Sequence, residues 1–321
     1  MGTCSPTTGA GSGGRREKSV AAPAIFGYNG SVVALGAVFR PQSPPEQLRD
    51  VAVAADEAGL EQLWLWEDCF FESGIASAAA VLAWTRRLRV GIGVLPVPLR
   101  NVALTAMETA TLDRMFPGRF MLGLGHGVQD WMGQVGARAG SPLTLLREQF
   151  TAIRALLRGE RVTTDGRYVK LDDVALGWPP STAPAVFAAA GGPRTLRLVG
   201  EVADGTILDE RNSPDTVRRA VELIDAGRAA AGRTDHHEVV SYLNAATGPD
   251  GPDRLRAELE SRGQAPNSEV GVAGDAETVA KAVLRLVNAG AGTVVLVPTA
   301  DEPDPAGFVR FVAEKVRPLV P

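Results

Sequence analysis

The chain is poor in the residues that build several common kinds of site. Its two cysteines, Cys4 and Cys69, stand in unrelated surroundings among 321 residues, so no disulfide framework is available and a reducing compartment is expected. Three histidines, His126, His236 and His237, have no spaced Cys or His set beside them, and no metal site is expected. With 33 basic against 37 acidic residues and a net charge of -4, the chain lacks the cationic footprint of a nucleic-acid or membrane-surface binder. No apolar run approaches the roughly 18 residues of a membrane span. The cytoplasm is the expected location. The alternative is a twin-arginine export signal at Arg15-Arg16, whose short apolar patch is broken by Pro23, Gly27 and Asn29. The expected partner is a small molecule.

What is present is apolar material for a sizeable core: 45% of residues are hydrophobic and 22% charged. Residues 1–30, rich in Gly, Ser, Thr and Pro without a periodic apolar face, read as a mobile leader, and residues 31–321 as one folded unit. Eight short apolar runs follow: 32–38, 62–66, 88–95, 119–125, 184–190, 205–208, 238–243 and 293–297. Near-continuous runs of this kind suit parallel strands buried on both faces. Helical spacing fills the gaps. Ser43-Pro44, Ser141-Pro142, Ser213-Pro214 and Asp304-Pro305 each place a cap residue before proline, with Ser43 and Glu46 spaced as a capping box and Gly59 as a stop. Such alternation either closes into a barrel or opens into a doubly wound sheet, and the count of eight favours closure. Residues 128–140 form an insert after strand four, and 162–172 read as a hairpin turning at Asp165-Gly166.

In a barrel the chemistry sits where strands end. After the fifth run, AAAGGPRT (188–195) offers Gly191 and Gly192 before a helix start, either an anion-binding turn with Arg194 and Thr195 in support or a plain helix start. Gly91, Gly93, Pro96 and Pro98 are too many breakers for an ordinary buried strand, so a ligand-facing bulge competes with a simple strand exit. Gly123, Gly125 and Gly127 clear side chains from the mouth after strand four, and His126, Gln129, Asp130 and Trp131 add polar and aromatic groups there. His126 is either a proton-transfer group or a structural histidine. Glu67 and Asp68 lie among aromatic side chains that would raise a carboxyl pKa; they are catalytic or cofactor-contacting groups, or else solvated loop charges. Cys69 reads as a small apolar residue. Trp66, Phe70, Phe71 and Trp131 suggest an aromatic-lined pocket shaped by the insert and by the loops at 67–75 and 244–272.

GIGVLPVPLRN (91–101), TLDRMFPGRFMLGLGHG (111–127) and AAAGGPRTLRLVGEVADGTIL (188–208), in that order and at those strand ends, resemble the bacterial luciferase-like superfamily, in its coenzyme F-420-dependent reductase and dehydrogenase branch. The resemblance spans roughly residues 32–321. It implies a (β/α)8 TIM barrel with an insertion after strand four, commonly homodimeric, with a deazaflavin or FMN across the mouth. It also implies a cis peptide at Gly93-Val94 behind the ring. Gly191, Gly192 and Pro193 would bind the phosphate, with Ala190, Arg194 and Thr195 around them, while Glu67, Gly125, Gly127 and Gln129 would line the ring. Two departures count against sugar-phosphate oxidation: Glu67-Asp68 stands where that branch has Asp-His, and Val128 where it has a catalytic Glu. The expectation is therefore a reductase that delivers hydride to an activated C=C or C=N bond, with Asp68, His126 or water as acid and Glu67 beside them. The alternatives are an FMN-dependent monooxygenase and a cofactor-binding protein without chemistry.

Overall fold

Strand and helix alternate in the computed structural model, which describes residues 33–265 and 269–321; the leader expected at 1–30 and Cys4 lie outside the described residues. Among the described residues eleven strands run in chain order: β1 (Ala34–Phe39), β2 (Gln62–Leu65), β3 (Arg89–Pro96), β4 (Phe120–Gly125), β5 (Val162–Asp165), β6 (Lys170–Val174), β7 (Val186–Ala189), β8 (Gly205–Leu208), β9 (Glu238–Ala246), β10 (Gly271–Ala273) and β11 (Thr293–Pro298). Their helices are α1 (Leu48–Ala58), α2 (Gly74–Trp84), α3 (Val102–Met115), α4 (Gln129–Gln134), α5 (Pro142–Leu157), α6 (Pro193–Val202), α7 (Pro214–Ala230), α8 (Gly251–Ser261), α9 (Ala276–Asn288) and α10 (Pro305–Phe311). The order β9-β11-β1-β2-β3-β4-β7-β8 is parallel throughout, and β8 returns to β9 with Gly205 opposite Glu238 and Leu208 opposite Ser241. The barrel is closed. Each of the eight apolar runs supplies one of its strands.

Successive side chains of a strand face opposite ways, so each apolar run serves two cores. Trp64, Trp66, Val240, Tyr242, Val295 and Val297 fill the barrel interior, while Leu63, Leu65, Leu243, Val294 and Leu296 face the helices. Fully buried Trp64 meets Phe187 edge-on at 6.1 Å and Tyr242 at 6.2 Å, contacts worth about 0.5–1.5 kcal/mol each beyond burial.

Local chemistry settles the helix ends, with two corrections: Ser141 precedes α5 as expected but its hydroxyl pairs with that of Thr144 at 2.8 Å and caps no N–H, and the second concerns Ser43. Ser213 and Asp304 cap as expected, accepting from the Thr216 and Gly307 N–H groups, and Gly59 ends α1 at φ +80. The Ser43/Glu46 capping box does not form. Pro44 and Pro45 instead open a short 3-10 turn, Pro45–Gln47, whose start has no side-chain cap. The region 244–272, read as a pocket loop, contains α8 and β10, and the insert at 128–140 contains α4. Among the described residues no helix is long and apolar enough to cross a membrane.

The hairpin β5–β6 pairs Asp165 with Lys170, so its turn spans four residues rather than two. Glu148 of α5 holds that turn, accepting from the Arg167, Tyr168 and Val169 N–H groups at 2.9, 2.8 and 2.9 Å. Slight burial nudges its carboxyl pKa up, but the three N–H groups and Lys170 outweigh this and hold it below the usual range. Glu148→Ala is expected to cost about 2 kcal/mol at pH 7, read from urea unfolding. Because the folded pKa is depressed, this contribution is complete above the ordinary carboxylate range and fades as pH falls through the folded value; wild type and variant should therefore converge in acid.

Candidate active site

Where the barrel strands end in their C-terminal direction, a cavity of about 450 Å³ opens, walled by Gly93, Val94 and Pro96 of β3, by residues at or just past the ends of β2, β4, β7 and β8, and by Tyr242 of β9. Glu67, Asp68, Gly93, Val94, Gly125, His126, Gly127, Ala190, Gly191, Gly192 and Thr195, all singled out in the sequence, line it. Gln129, Pro193 and Arg194 do not. Trp66 and Trp131 line it as well, whereas Phe70 and Phe71 are exposed outside.

The irregularity expected in β3 is a bulge: its pairing with β4 slips between Ile92 and Leu95. The Gly93-Val94 peptide is cis, and so is Cys69-Phe70, which the sequence did not suggest. The β4 glycines serve this bulge. A Cβ on Gly123 would lie 2.3 Å from the Ile92 carbonyl oxygen, and one on Gly125 would lie 2.5 Å from Val94 Cγ2. Their smallness thus admits the neighbouring strand, a role beyond the clearance of the mouth that the sequence suggested. Behind the bulge, the Tyr242 hydroxyl donates to the Gly93 carbonyl at 3.4 Å, and a Cβ on Gly93 would sit 2.0 Å from that oxygen.

At β7 the chain leaves the barrel through Gly191 and Gly192 into α6. Gly192 is the N-cap in extended conformation, φ -86 and ψ 151, and no side chain caps the helix. The first N–H groups of any helix lack intrahelical partners, so those of α6 are available to an anion. A Cβ at either glycine would meet nothing within 4 Å. Thr195, one turn in, places Oγ1 3.4 Å from His126 Nε2. Gln129 is a correction: its amide donates to the His126 and Gly127 carbonyls, both at 3.2 Å, and is spent on holding that loop.

The titratable groups divide by their partners. Glu67 is clamped, with Oε2 accepting from Arg100 Nη2 at 2.5 Å and the Gly74 N–H at 2.8 Å; Arg100 also reaches Glu108 at 3.1 Å. Asp68 has no side-chain hydrogen bond or ion pair among the described residues. Burial pushes its carboxyl up and the charge of Glu210 adds to this; Arg40 and Arg262 pull the other way without reversing it. Burial pushes His126 down, against a smaller opposing pull from the Pro142 carbonyl, so the imidazole is neutral at pH 7. Burial first, then Glu67 and Asp68, push the Cys69 thiol up, away from thiolate chemistry.

Asp209, Glu210, Arg211 and Tyr242 also line the cavity and were missed. The first three directly follow the GTIL run, so the rule of inspecting strand ends would have found them. Tyr242 lies inside a strand, where only the inward parity of its position marks it.

A family model described as luciferase-like monooxygenase matches residues 29–267. Among curated proteins, 5,10-methylenetetrahydromethanopterin reductase of Methanolobus tindarius is 34% identical over 199 residues, covering 62% of this chain and 60% of that protein. The F420-dependent glucose-6-phosphate dehydrogenase of Nakamurella multipartita is 30% identical over 256 residues, covering 75% and 72%. The chain thus spans about three fifths of the first of these relatives. Among solved structures, coenzyme F420-dependent tetrahydromethanopterin reductase of Methanopyrus kandleri superposes with a TM-score of 0.79 at 22% identity, covering 91% of this chain and 100% of that one.

Proposed function

The chain belongs to the luciferase-like monooxygenase family, and on that premise we propose that it is a cytoplasmic oxidoreductase dependent on coenzyme F-420, delivering hydride from the reduced cofactor to an activated C=C or C=N bond of a small molecule. One observation carries the reading: a single cavity joins a backbone ridge at Gly93-Val94 to the uncapped N-terminus of α6 at Gly191-Gly192. A flat ring with an anionic tail needs this combination, and the open space at both glycines leaves room for the tail. The relatives named for coenzyme F-420 support the choice of a deazaflavin. When bound, the reduced cofactor supplies the hydride.

The protein's own residues do the rest. Gly191, Gly192 and Thr195 would hold the phosphate, and the β3 bulge would set the plane of the ring. Asp68, whose carboxyl pKa is raised chiefly by burial, is the acid of this proposal, with His126 the weaker candidate. Glu67 acts as a positioning residue, since its bonds to Arg100 and Gly74 fix the loop that carries Asp68. Val128 lines the cavity without a carboxylate, which argues against sugar-phosphate oxidation.

Titration of the purified protein with coenzyme F-420 and separately with FMN, followed by fluorescence quenching, tests the proposal. Binding of F-420 in preference to FMN is the expected result. A preference for FMN would point to a monooxygenase, and binding of neither would remove the account. Asp68→Asn should lower turnover by about 100-fold or more with cofactor affinity unchanged; loss of affinity at unchanged turnover would refute its role.

We propose also that the protein is a homodimer through α3, whose Leu104, Met107 and Met115 are exposed together with Trp178, 75% exposed and covered by Arg114 at 5.2 Å. Sedimentation should give twice the 33.7 kDa chain mass. Met107→Glu should shift it toward one chain; a wild-type monomer would refute the assignment.

A further inference from the structure

Charge is uneven around the cavity. By the phosphate turn stand the free N–H groups of α6 and the exposed Arg194, which no carboxylate pairs among the described residues. Around Asp68 the guanidinium groups are already taken. Arg40 pairs with Glu258 at 3.0 Å, while Arg262 pairs with Glu210 and, at 2.6 Å, with Glu258. Arg211 is held by Asp209 at 3.0 Å, and Arg100 by Glu67. What is left over is negative. Among the described residues Asp68 has no hydrogen-bond or ion-pair partner, and Glu72, four residues on but outside the cavity lining, keeps Oε1 buried without a donor.

A carboxylate held away from bulk water without a counter-charge is costly, and a bound cation removes that cost. We propose that the substrate of this cavity is a cation, with its positive charge on a nitrogen at or next to the reducible bond, paired with Asp68, backed by Glu210 and walled by Trp131. This inference deepens the proposed oxidoreductase reading and rests on it. Of the two bond types it selects a charged C=N over a neutral C=C; a charged C=N becomes a neutral amine on taking hydride and needs no proton, so toward such a substrate Asp68 serves as counter-charge in place of acid. It also assigns the cavity opposite preferences at its two sides: the phosphate turn takes the anionic tail of a cofactor, and the Asp68 side takes the cation. A phosphorylated or carboxylated substrate would instead place an anion against Asp68 and Glu210, a like-charge contact that a partly dry site penalises.

The test is calorimetric titration at pH 7.5 with three bicyclic probes of similar size, N-methylquinolinium, neutral quinoline and anionic 1-naphthoate, on the protein alone and with coenzyme F-420 added. The cation should bind at least about tenfold tighter than quinoline, and 1-naphthoate weakest of the three. Asp68→Asn should bring the cation-to-neutral ratio close to one without weakening quinoline binding, and Glu210→Gln should lower the ratio by a smaller factor. Equal affinity for cation and neutral probe, no binding of the cation, or preference for 1-naphthoate overturns the inference. Binding of F-420 without cation preference would sink the inference alone. Cation preference in a protein that does not bind F-420 would sink the cofactor reading and leave the cation site standing.

Discussion

Gly192→Asp should abolish binding of coenzyme F-420 while leaving the protein at least as stable as before. Gly192 is the N-cap of α6 in an extended conformation open to any residue, and a side chain there meets no neighbour. Aspartate is a better N-cap than glycine by a few tenths of a kcal/mol, and its charge favours the helix start. It also puts an anion where the phosphate of the cofactor is proposed to sit. Like-charge contact of this kind costs several kcal/mol, so affinity should fall by about 100-fold or more. Stability and binding therefore move in opposite directions. Gly192→Ser, a neutral cap of similar size, should keep most of the affinity. If the aspartate variant binds F-420 as the wild type does, the phosphate is not at this turn.

Gly93→Ala should be the most damaging single methyl in the cavity. Its Cβ would fall 2.0 Å from the Tyr242 hydroxyl oxygen, and the tyrosine has nowhere to retreat, boxed by Trp66 at 5.6 Å and Trp64 at 6.2 Å. Forced overpacking costs roughly 1–3 kcal/mol and moves the bulge against which the ring is proposed to lie. Tyr242→Phe alone forfeits only a long hydrogen bond, under about 1 kcal/mol. The same change in the Gly93→Ala background removes the clashing oxygen, leaving contacts of 3.1 and 3.3 Å. The double variant should therefore be more stable than Gly93→Ala, and bind F-420 better, a sign reversal that additive effects cannot produce. Denaturant midpoints and cofactor titration on the four proteins read it directly, and strict additivity would dismiss the contact.

The barrel was legible because a strand buried on both faces must be apolar along its length, and eight such runs leave few topologies. Gly191-Gly192 and the breakers in β3 were legible for a similar reason: their meaning lies within a few residues of chain. The partners of those residues were not. Gly123 and Gly125 look like clearance for a ligand until Ile92 and Val94 are seen against them, and Glu67 looks like a free acid until Arg100, 33 residues on, takes its oxygens. Arg40 and Glu258 meet across 218 residues, a separation no local pattern reports. The capping box failed on competition: the serine and glutamate were correctly spaced, but two prolines imposed a tighter turn first.

Some of the loops around the mouth are tied down by ion pairs. Glu67 and Arg100 hold the loop after β2, Asp209 and Arg211 the turn after β8, and Glu210, Arg262 and Glu258 join that turn to α8. None of these fasteners draws on the apolar layers inside or outside the barrel. The turn after β8 can therefore be exchanged together with its own Asp209–Arg211 pair, and other loops together with the connection their ion pair reaches, while the strands beneath keep their register. For protein engineers the mouth is a set of replaceable parts, and a lineage carrying this barrel can change what it accepts without first having to spend stability.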